Sequence, residues 1–235
     1  MTDITTREPH ALAATLRPQG YGRKRPDSIA DPLIEPIWPG VRVFASVTPR
    51  SGAFWVDGES IDDHPELATA LAREIRGPIG DGAVFDGYLT KQTVTGGVGV
   101  RGWTPEVPTF TGQMSRMLIG GRRNLDAAEK QREADLAAIT FDDDDVVNLV
   151  VVDLLWLDGQ WLLDVPLLER KRVLDSILPS GPLVRPGPFV RPPIGSWIGS
   201  WRAQGFRGLT FKAANSRYRP GEVADDWAQA DMPRR

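Results

Sequence analysis

The segment EPIWPGVR at residues 35–42 looks like the front of an active site, but it contains an unreactive residue where chemistry would be expected. It has an acid, Glu35, in a Glu-Pro lead-in, then an aromatic residue, a glycine and the cation Arg42. Ile37 lies between the Glu-Pro lead-in and Trp38, where a reactive side chain would be expected, and an aliphatic chain has no nucleophile to offer. Two interpretations follow: a catalytic motif that has lost its reactive residue, or an ordinary entrance to a strand.

Two other segments offer groups that could bind ligands. The carboxylates of Asp142–Asp145 suit hard cations. Consecutive residues that enter a strand point to alternating faces, however, so a solvated turn is favoured. The glycine-rich TGGVGVRG at residues 95–102 lacks both the Walker lysine-hydroxyl pair and the Rossmann glycine spacing. It is predicted to be a surface loop or hairpin.

Composition narrows the class of protein. The 235 residues include 41% hydrophobic and 25% charged residues, typical of a globular protein, and no cysteine that could form a disulfide. A formal net charge of -3 argues against broad, non-specific binding to nucleic acid. Neither a membrane span nor a signal peptide is recognisable, so a cytoplasmic protein is expected.

Hydrophobic periodicity predicts an α+β fold with antiparallel sheets. Residues 1–30 are polar and aperiodic and are predicted to be an irregular N-terminal arm, followed by one domain at 31–235 with an irregular insertion at about 91–140. The apolar run at 146–157 is typical of a strand covered on both faces. The other strands are predicted at 41–47, 52–58, 82–90 and 207–214, and the helices at 65–75, 166–178 and 196–204.

Four segments occur in an order that is familiar from one enzyme family. They are EPIWPGVR (35–42), VFDGYLT (84–90), VVVDLLWLDGQWLLDVPLLERKRVLDSIL (150–178) and GFRGLTFKAANSRYRPG (205–221). Together they resemble the adenylation (nucleotidyltransferase) domain of ATP-dependent DNA ligases, especially of the bacterial end-joining repair type. The resemblance implies the ATP-grasp-like DNA ligase/mRNA capping enzyme fold, in which antiparallel sheets are flanked by helices. The chain ends soon after the last motif, so no OB domain is expected in it.

In the family, a motif lysine attacks the α-phosphorus of ATP and acidic residues hold a divalent cation. Carried over to this sequence, the resemblance places Ile37 at the position of the nucleophilic lysine and Pro39 at that of the motif aspartate. Tyr88 and Arg207 occupy the positions of two glutamates, and Val152 that of an aromatic residue that can stack on adenine. No catalytic residue and no metal ligand is therefore expected.

Several motif residues survive. The nucleotide-binding candidates are Arg42, Lys212 and Glu35. For Gly87, Gly208 and Asp153 a structural interpretation is favoured, with close backbone approach at the glycines and local hydrogen bonding at the aspartate.

The leading hypothesis is a degenerate ligase-like domain that acts as a non-catalytic binding or scaffold protein related to DNA repair. The alternative is a divergent nucleotidyltransferase that still binds ATP or nucleic-acid ends, with Lys91 or Lys212 as a substitute nucleophile. Two further hypotheses are a nucleotide sensor and a nucleic-acid binding module without chemistry. ATP is a candidate ligand and magnesium is not expected. DNA-repair proteins or DNA are the candidate partners, and the sequence does not indicate an oligomeric state.

Overall fold

A seven-stranded sheet forms the larger part of the computed structural model, which describes residues 8–75, 79–92 and 146–232. Its strands follow the order β5-β4-β3-β6-β7-β8, and β9 pairs with β7. All pairs are antiparallel except the parallel pair of β7 and β9. The strands are β3 Val41–Val47, β4 Gly52–Val56, β5 Glu59–Ile61, β6 Ala83–Thr90, β7 Asn148–Leu157, β8 Gln160–Trp161 and β9 Val184–Pro186.

Two smaller sheets complete the strands. In the three-stranded sheet, β10 (Gly208–Ala213) lies between β2 (Pro32–Pro36) and β12 (Trp227–Asp231), and both pairs are antiparallel. The short strands β1 (Gly20–Tyr21) and β11 (Val223–Ala224) pair in parallel. The first and fourth motif segments therefore meet, because β2 and β10 are neighbours.

The helices lie where proline and apolar periodicity place them. Proline stands in the first turn of α1 and α2, and Pro166 precedes α3 as its N-cap. The bounds are α1 Pro9–Thr15, α2 Pro65–Glu74, α3 Leu167–Ile177 and α4 Gly195–Ala203, with a 3-10 turn at Pro26–Ser28. No helix among the described residues is long and apolar enough to cross a membrane.

Strand β7 contributes to two hydrophobic cores, as its continuous apolar run predicted. Leu149 and Val151 pack with residues of α2 and α3 in the first core. Val150 and Val152 belong to the second core, which joins β7 to β2, β10, β12 and α4. The two sheets are thus connected by packed side chains.

One sequence expectation is corrected at the N-terminus. Residues 1–30 were expected to be irregular, but helix α1 lies within them and packs against β3, β4 and β6. Ala13 and Leu16 are buried there. A helix of two turns is too short to show periodicity, and it is stabilised by this packing instead. The domain boundary at residue 30 stays a prediction.

The other predicted strands and helices are confirmed, with bounds shifted by a few residues at most. Most of the predicted insertion at 91–140, including TGGVGVRG, lies outside the described residues, as does Asp142–Asp145.

Candidate functional site

Glu35 on β2 is held between two buried lysines. Lys212 on β10 donates to its Oε2 at 2.7 Å, and Lys171 on α3 forms an ion pair with its Oε1. Burial alone would raise the pKa of Glu35, but the charges of Lys171 and Lys212 lower it to about 2. The sequence-predicted pair Glu35 and Lys212 is thus brought together, as an ion pair.

Lys212 is a protonated amine in these surroundings. Burial alone would lower its pKa, but the charge of Glu35 raises the pKa above its usual value. Its Nζ also lies 4.6 Å from the centroid of the Trp227 ring, which is a cation–π contact. Both interactions stabilise the ammonium form.

Arg42 on β3 is bound to Asp86 on β6 through two hydrogen bonds. Nε donates to Oδ1 at 3.0 Å and Nη2 to Oδ2 at 2.6 Å, while Nη1 donates to the carbonyl of Gln19 at 3.0 Å. The hydroxyl of Tyr218 donates to the same carboxylate at 2.8 Å. Of the predicted nucleotide-binding residues, Arg42 therefore belongs to a separate network from Glu35 and Lys212.

Asp153 on β7 has a structural environment. It accepts two hydrogen bonds from Arg170, at 2.8 and 2.7 Å, and a third from the amide of Leu154 at 2.9 Å. Both side chains of the pair are fully buried. The local hydrogen bonding expected at Asp153 is thus present, and its structural role stays a prediction.

The motif glycines are required by close contacts. A Cβ on Gly87 would lie 2.8 Å from the carbonyl oxygen of Val150. One on Gly40, whose φ is +116°, would lie 2.2 Å from the carbonyl oxygen of Leu89. On Gly208, it would lie 2.6 Å from Cδ1 of Ile37. The close backbone approach expected at Gly87 is thus present, whereas the nearest atom at Gly208 belongs to the side chain of Ile37 and the nearest backbone atom, the carbonyl oxygen of Ala230, is 3.2 Å away.

Ile37, which the sequence resemblance assigns to the lysine position, is a packed side chain. It is 6% exposed, lies against Gly208, and its amide donates to the Gly208 carbonyl at 3.0 Å. Tyr88, which the resemblance assigns to one glutamate position, packs against the second core, and burial raises the pKa of its phenol, so that it stays neutral. Arg207, which the resemblance assigns to the other glutamate position, is exposed.

The acids of the site are already neutralised by cations. Glu35, Asp86 and Asp153 each accept from a lysine or arginine. Within residues 8–75, 79–92 and 146–232, no group of three or more histidine, aspartate or glutamate side chains is arranged to hold a metal ion. This donor set does not fit a divalent cation, and ATP phosphates could reach Lys212 only in competition with Glu35.

Sequence reasoning missed two of the interacting basic residues. Lys171 follows Leu167 by four positions and precedes Leu174 by three. Helical spacing would therefore have been enough to predict that it lies on the buried stripe of α3. Arg170 precedes it in the same helix and is also buried. Lys91, the proposed substitute nucleophile, is half-buried just beyond the end of β6.

The fold is similar to those of solved DNA ligases. The ligase domain of LigD from M. tuberculosis superposes with a TM-score of 0.60 at 19% identity, over 92% of this chain and 59% of that one. A mycobacterial DNA ligase D complexed with ATP and MES gives 0.58 at 20% identity, over 92% and 60%. This chain thus spans about three fifths of the length of either ligase chain.

No protein-family model and no curated protein sequence matches the chain. At these identities the structural likeness shows the fold. The four sequence motifs predicted the same fold independently, and their strands β2, β6, β7 and β10 lie side by side or joined by a common core. The chain therefore has the antiparallel α+β fold of the adenylation (nucleotidyltransferase) domain of ATP-dependent DNA ligases.

Proposed function

We propose that this chain is a ligase-fold domain that binds or scaffolds and does not adenylate, in the context of DNA repair. The observation that carries the proposal is the pairing of the two surviving motif cations. Lys212 is bound to Glu35 and Arg42 to Asp86, beside an isoleucine at the nucleophile position. A site arranged in this way is stabilised by its own carboxylates rather than by a nucleotide.

The chemistry of adenylation also argues against activity. Attack on phosphorus needs the lone pair of a neutral amine. Ile37 has none, and Lys212 is held as an ammonium by Glu35. The developing charge on the phosphates would further need cations or a metal ion that are free to approach it.

The alternative is a divergent nucleotidyltransferase that uses Lys91. It has one supporting observation: Lys91 lies three positions after Tyr88 and just beyond β6, which crosses the centre of the sheet. Peptide mapping after incubation with ATP would place an AMP adduct on Lys91 in this case, and Lys91→Met would abolish it.

The proposed partners are DNA or DNA-repair proteins, and the proposed compartment is the cytoplasm. The support is the ligase fold, since both mycobacterial neighbours are ligases. A gel-shift titration with nicked duplex tests the DNA arm, and binding that weakens as salt rises would indicate contact with phosphates.

A nick-sealing assay tests the absence of ligation. The purified chain, ATP, magnesium and a nicked duplex should give no sealed product. The variant Ile37→Lys should also give none, because it restores an amine but leaves Tyr88 and Arg207 at the glutamate positions. Sealing by the wild-type chain would refute the proposal, and sealing by Ile37→Lys would show that the rest of the site is intact.

A further inference from the structure

Arg185 on β9 is a half-buried arginine. Among the described residues, no aspartate or glutamate forms an ion pair with it. Within the same part of the chain, its one hydrogen bond runs from Nη2 to the backbone carbonyl of Gln92, at 3.3 Å, and its Nε is buried without an acceptor. Burial alone lowers the pKa of its guanidinium. An uncompensated buried charge costs folding free energy.

The sheet register places Arg185 in one row with the motif residues. Arg185 is the cross-strand partner of Val150, Val150 is that of Tyr88, and Tyr88 is that of Arg42. Cross-strand partners share a face of the sheet. With strands about 4.8 Å apart, the backbone of Arg185 lies about 10 Å from that of Tyr88. Arg185 thus lies on the same sheet face as the motif residues Tyr88 and Arg42, although it lies outside all four motifs.

Gln92 joins Arg185 to the end of α4. Its side-chain Nε2 donates to the carbonyl of Gln204 at 2.7 Å, while its own carbonyl accepts from Arg185. The side-chain Oε1 of Gln204 is also buried without a hydrogen bond. This corner therefore contains an unused donor on Arg185 and an unused acceptor on Gln204.

An anionic ligand would complete the corner. The planar guanidinium matches the oxygens of a phosphate, and its bond is stronger when water is partly excluded. A hydroxyl or amino group on the same ligand could donate to Gln204. Nucleotides and nucleic-acid strands carry both kinds of group.

We propose that Arg185, with Gln92 and Gln204, forms a binding subsite for a phosphate group of a nucleotide or of a nucleic-acid strand. The inference deepens the proposed function, because a domain without adenylation chemistry would act by binding. It does not depend on Ile37 or on the ion pairs of Arg42 and Lys212.

Calorimetric titration of the full chain without metal tests the subsite. The probes are inorganic phosphate, AMP and a 5′-phosphorylated single-stranded oligonucleotide. AMP or the oligonucleotide should bind, and Arg185→Gln should weaken that binding about tenfold or more, since a charge-assisted hydrogen bond would be lost. The matched control is Arg191→Gln, which removes the same charge from an exposed side chain and should change affinity less than about twofold.

The probe that binds distinguishes the two sources of phosphate. AMP binding as tightly as the oligonucleotide would identify a nucleotide subsite. Much tighter binding of the oligonucleotide, weakened by salt, would identify a strand-binding subsite. If neither binds at millimolar concentration, or if Arg185→Gln binds like the wild type, the proposal is overturned.

Thermal unfolding separates a binding role from a structural one. Arg185→Gln removes a charge without a carboxylate partner, so its Tm should equal or exceed that of Arg191→Gln. A Tm several degrees below that control would show that Arg185 stabilises the fold, and would overturn the proposal.

The test fails separately from that of the proposed function. If Arg185 does not bind a phosphate group, the nick-sealing assay should still give no product. If the chain does seal nicks, the calorimetric comparison of Arg185→Gln with the wild type still decides whether Arg185 binds phosphate.

Discussion

Buried cations are paired differently in two corners of the molecule. Around β2, β3 and α3, every buried cation has a carboxylate: Lys171 and Lys212 share Glu35, Arg42 has Asp86, and Arg170 has Asp153. At β9, the hydrogen-bond partner of Arg185 among the described residues is a backbone carbonyl. In the first corner the buried charges are paired with one another, so the stability of the fold alone explains them. In the second corner the charge of Arg185 has no carboxylate partner among the described residues, which suggests that a ligand binds there.

Glu35→Gln should give the largest loss of stability. The substitution leaves Lys171 and Lys212 buried without a counter-charge, which typically costs about 3–5 kcal/mol of the free energy of unfolding. Urea denaturation measures the loss. Glu169→Gln, which breaks an exposed pair with Arg172, should cost about 0.5 kcal/mol or less. A loss below about 1 kcal/mol for Glu35→Gln would show that the first corner is not structural.

Lowering the pH should remove the contribution of Glu35 to the free energy of unfolding. The pKa of Glu35 is about 2 in the folded chain, against an ordinary value of 4.5. Because the pKa is lower in the folded chain, ionised Glu35 stabilises the fold. This stabilisation is fully present above pH 4.5 and is lost as the pH falls towards 2, with a magnitude on the order of 3 kcal/mol. Unfolding free energies measured across this pH range should fall more steeply for the wild type than for Glu35→Gln. Parallel curves would contradict the assignment.

The contact between Ile37 and Gly208 should show as coupling between two substitutions. Gly208→Ala places a methyl 2.6 Å from Cδ1 of Ile37 and 3.2 Å from the carbonyl of Ala230, which should cost about 1–3 kcal/mol. Ile37→Ala should relieve part of that cost, with a coupling of about 1 kcal/mol in a double-mutant cycle. Gly195→Ala is the control, because no described atom outside its own chain neighbours and helix backbone lies within 4 Å of the added carbon. Strict additivity would mean that Ile37 does not fill this space.

Arg185→Met should have the smallest effect on stability. It removes a desolvated guanidinium and keeps an apolar stem, so the free energy of unfolding should change by less than about 0.5 kcal/mol or should rise. Chemical denaturation measures it, beside Arg191→Met as the exposed control. If Arg185→Met lost as much unfolding free energy as Glu35→Gln, Arg185 would be a structural residue like the paired cations of the first corner.

The fold could be predicted because its elements carry strong local signals. The apolar run of β7, the strand at Val41–Val47 and the proline-led helix α2 were all evident from the sequence. Helix α1 was missed because seven residues show little periodicity, and β9 was missed because its three residues lie in a Pro/Gly-rich connection.

The site was predicted less completely than the fold. The motifs identified Ile37, Arg42, Glu35 and Lys212, but not the partners that hold the charged members. Pairing depends on which side chains meet across elements, and Glu35 and Lys171 are too far apart in the sequence to give any local indication of it. No feature of the sequence singled out Arg185. It became a candidate only because the described residues around it in the folded chain include no carboxylate partner.

The absence of adenylation is tested by the intact mass of the chain after incubation with ATP and magnesium. We expect an unchanged mass, because Ile37 cannot form a phosphoramidate and Lys212 is held as an ammonium by Glu35. A stoichiometric increase by one AMP would show that an amine of this chain attacks ATP, and a non-adenylating domain would be ruled out.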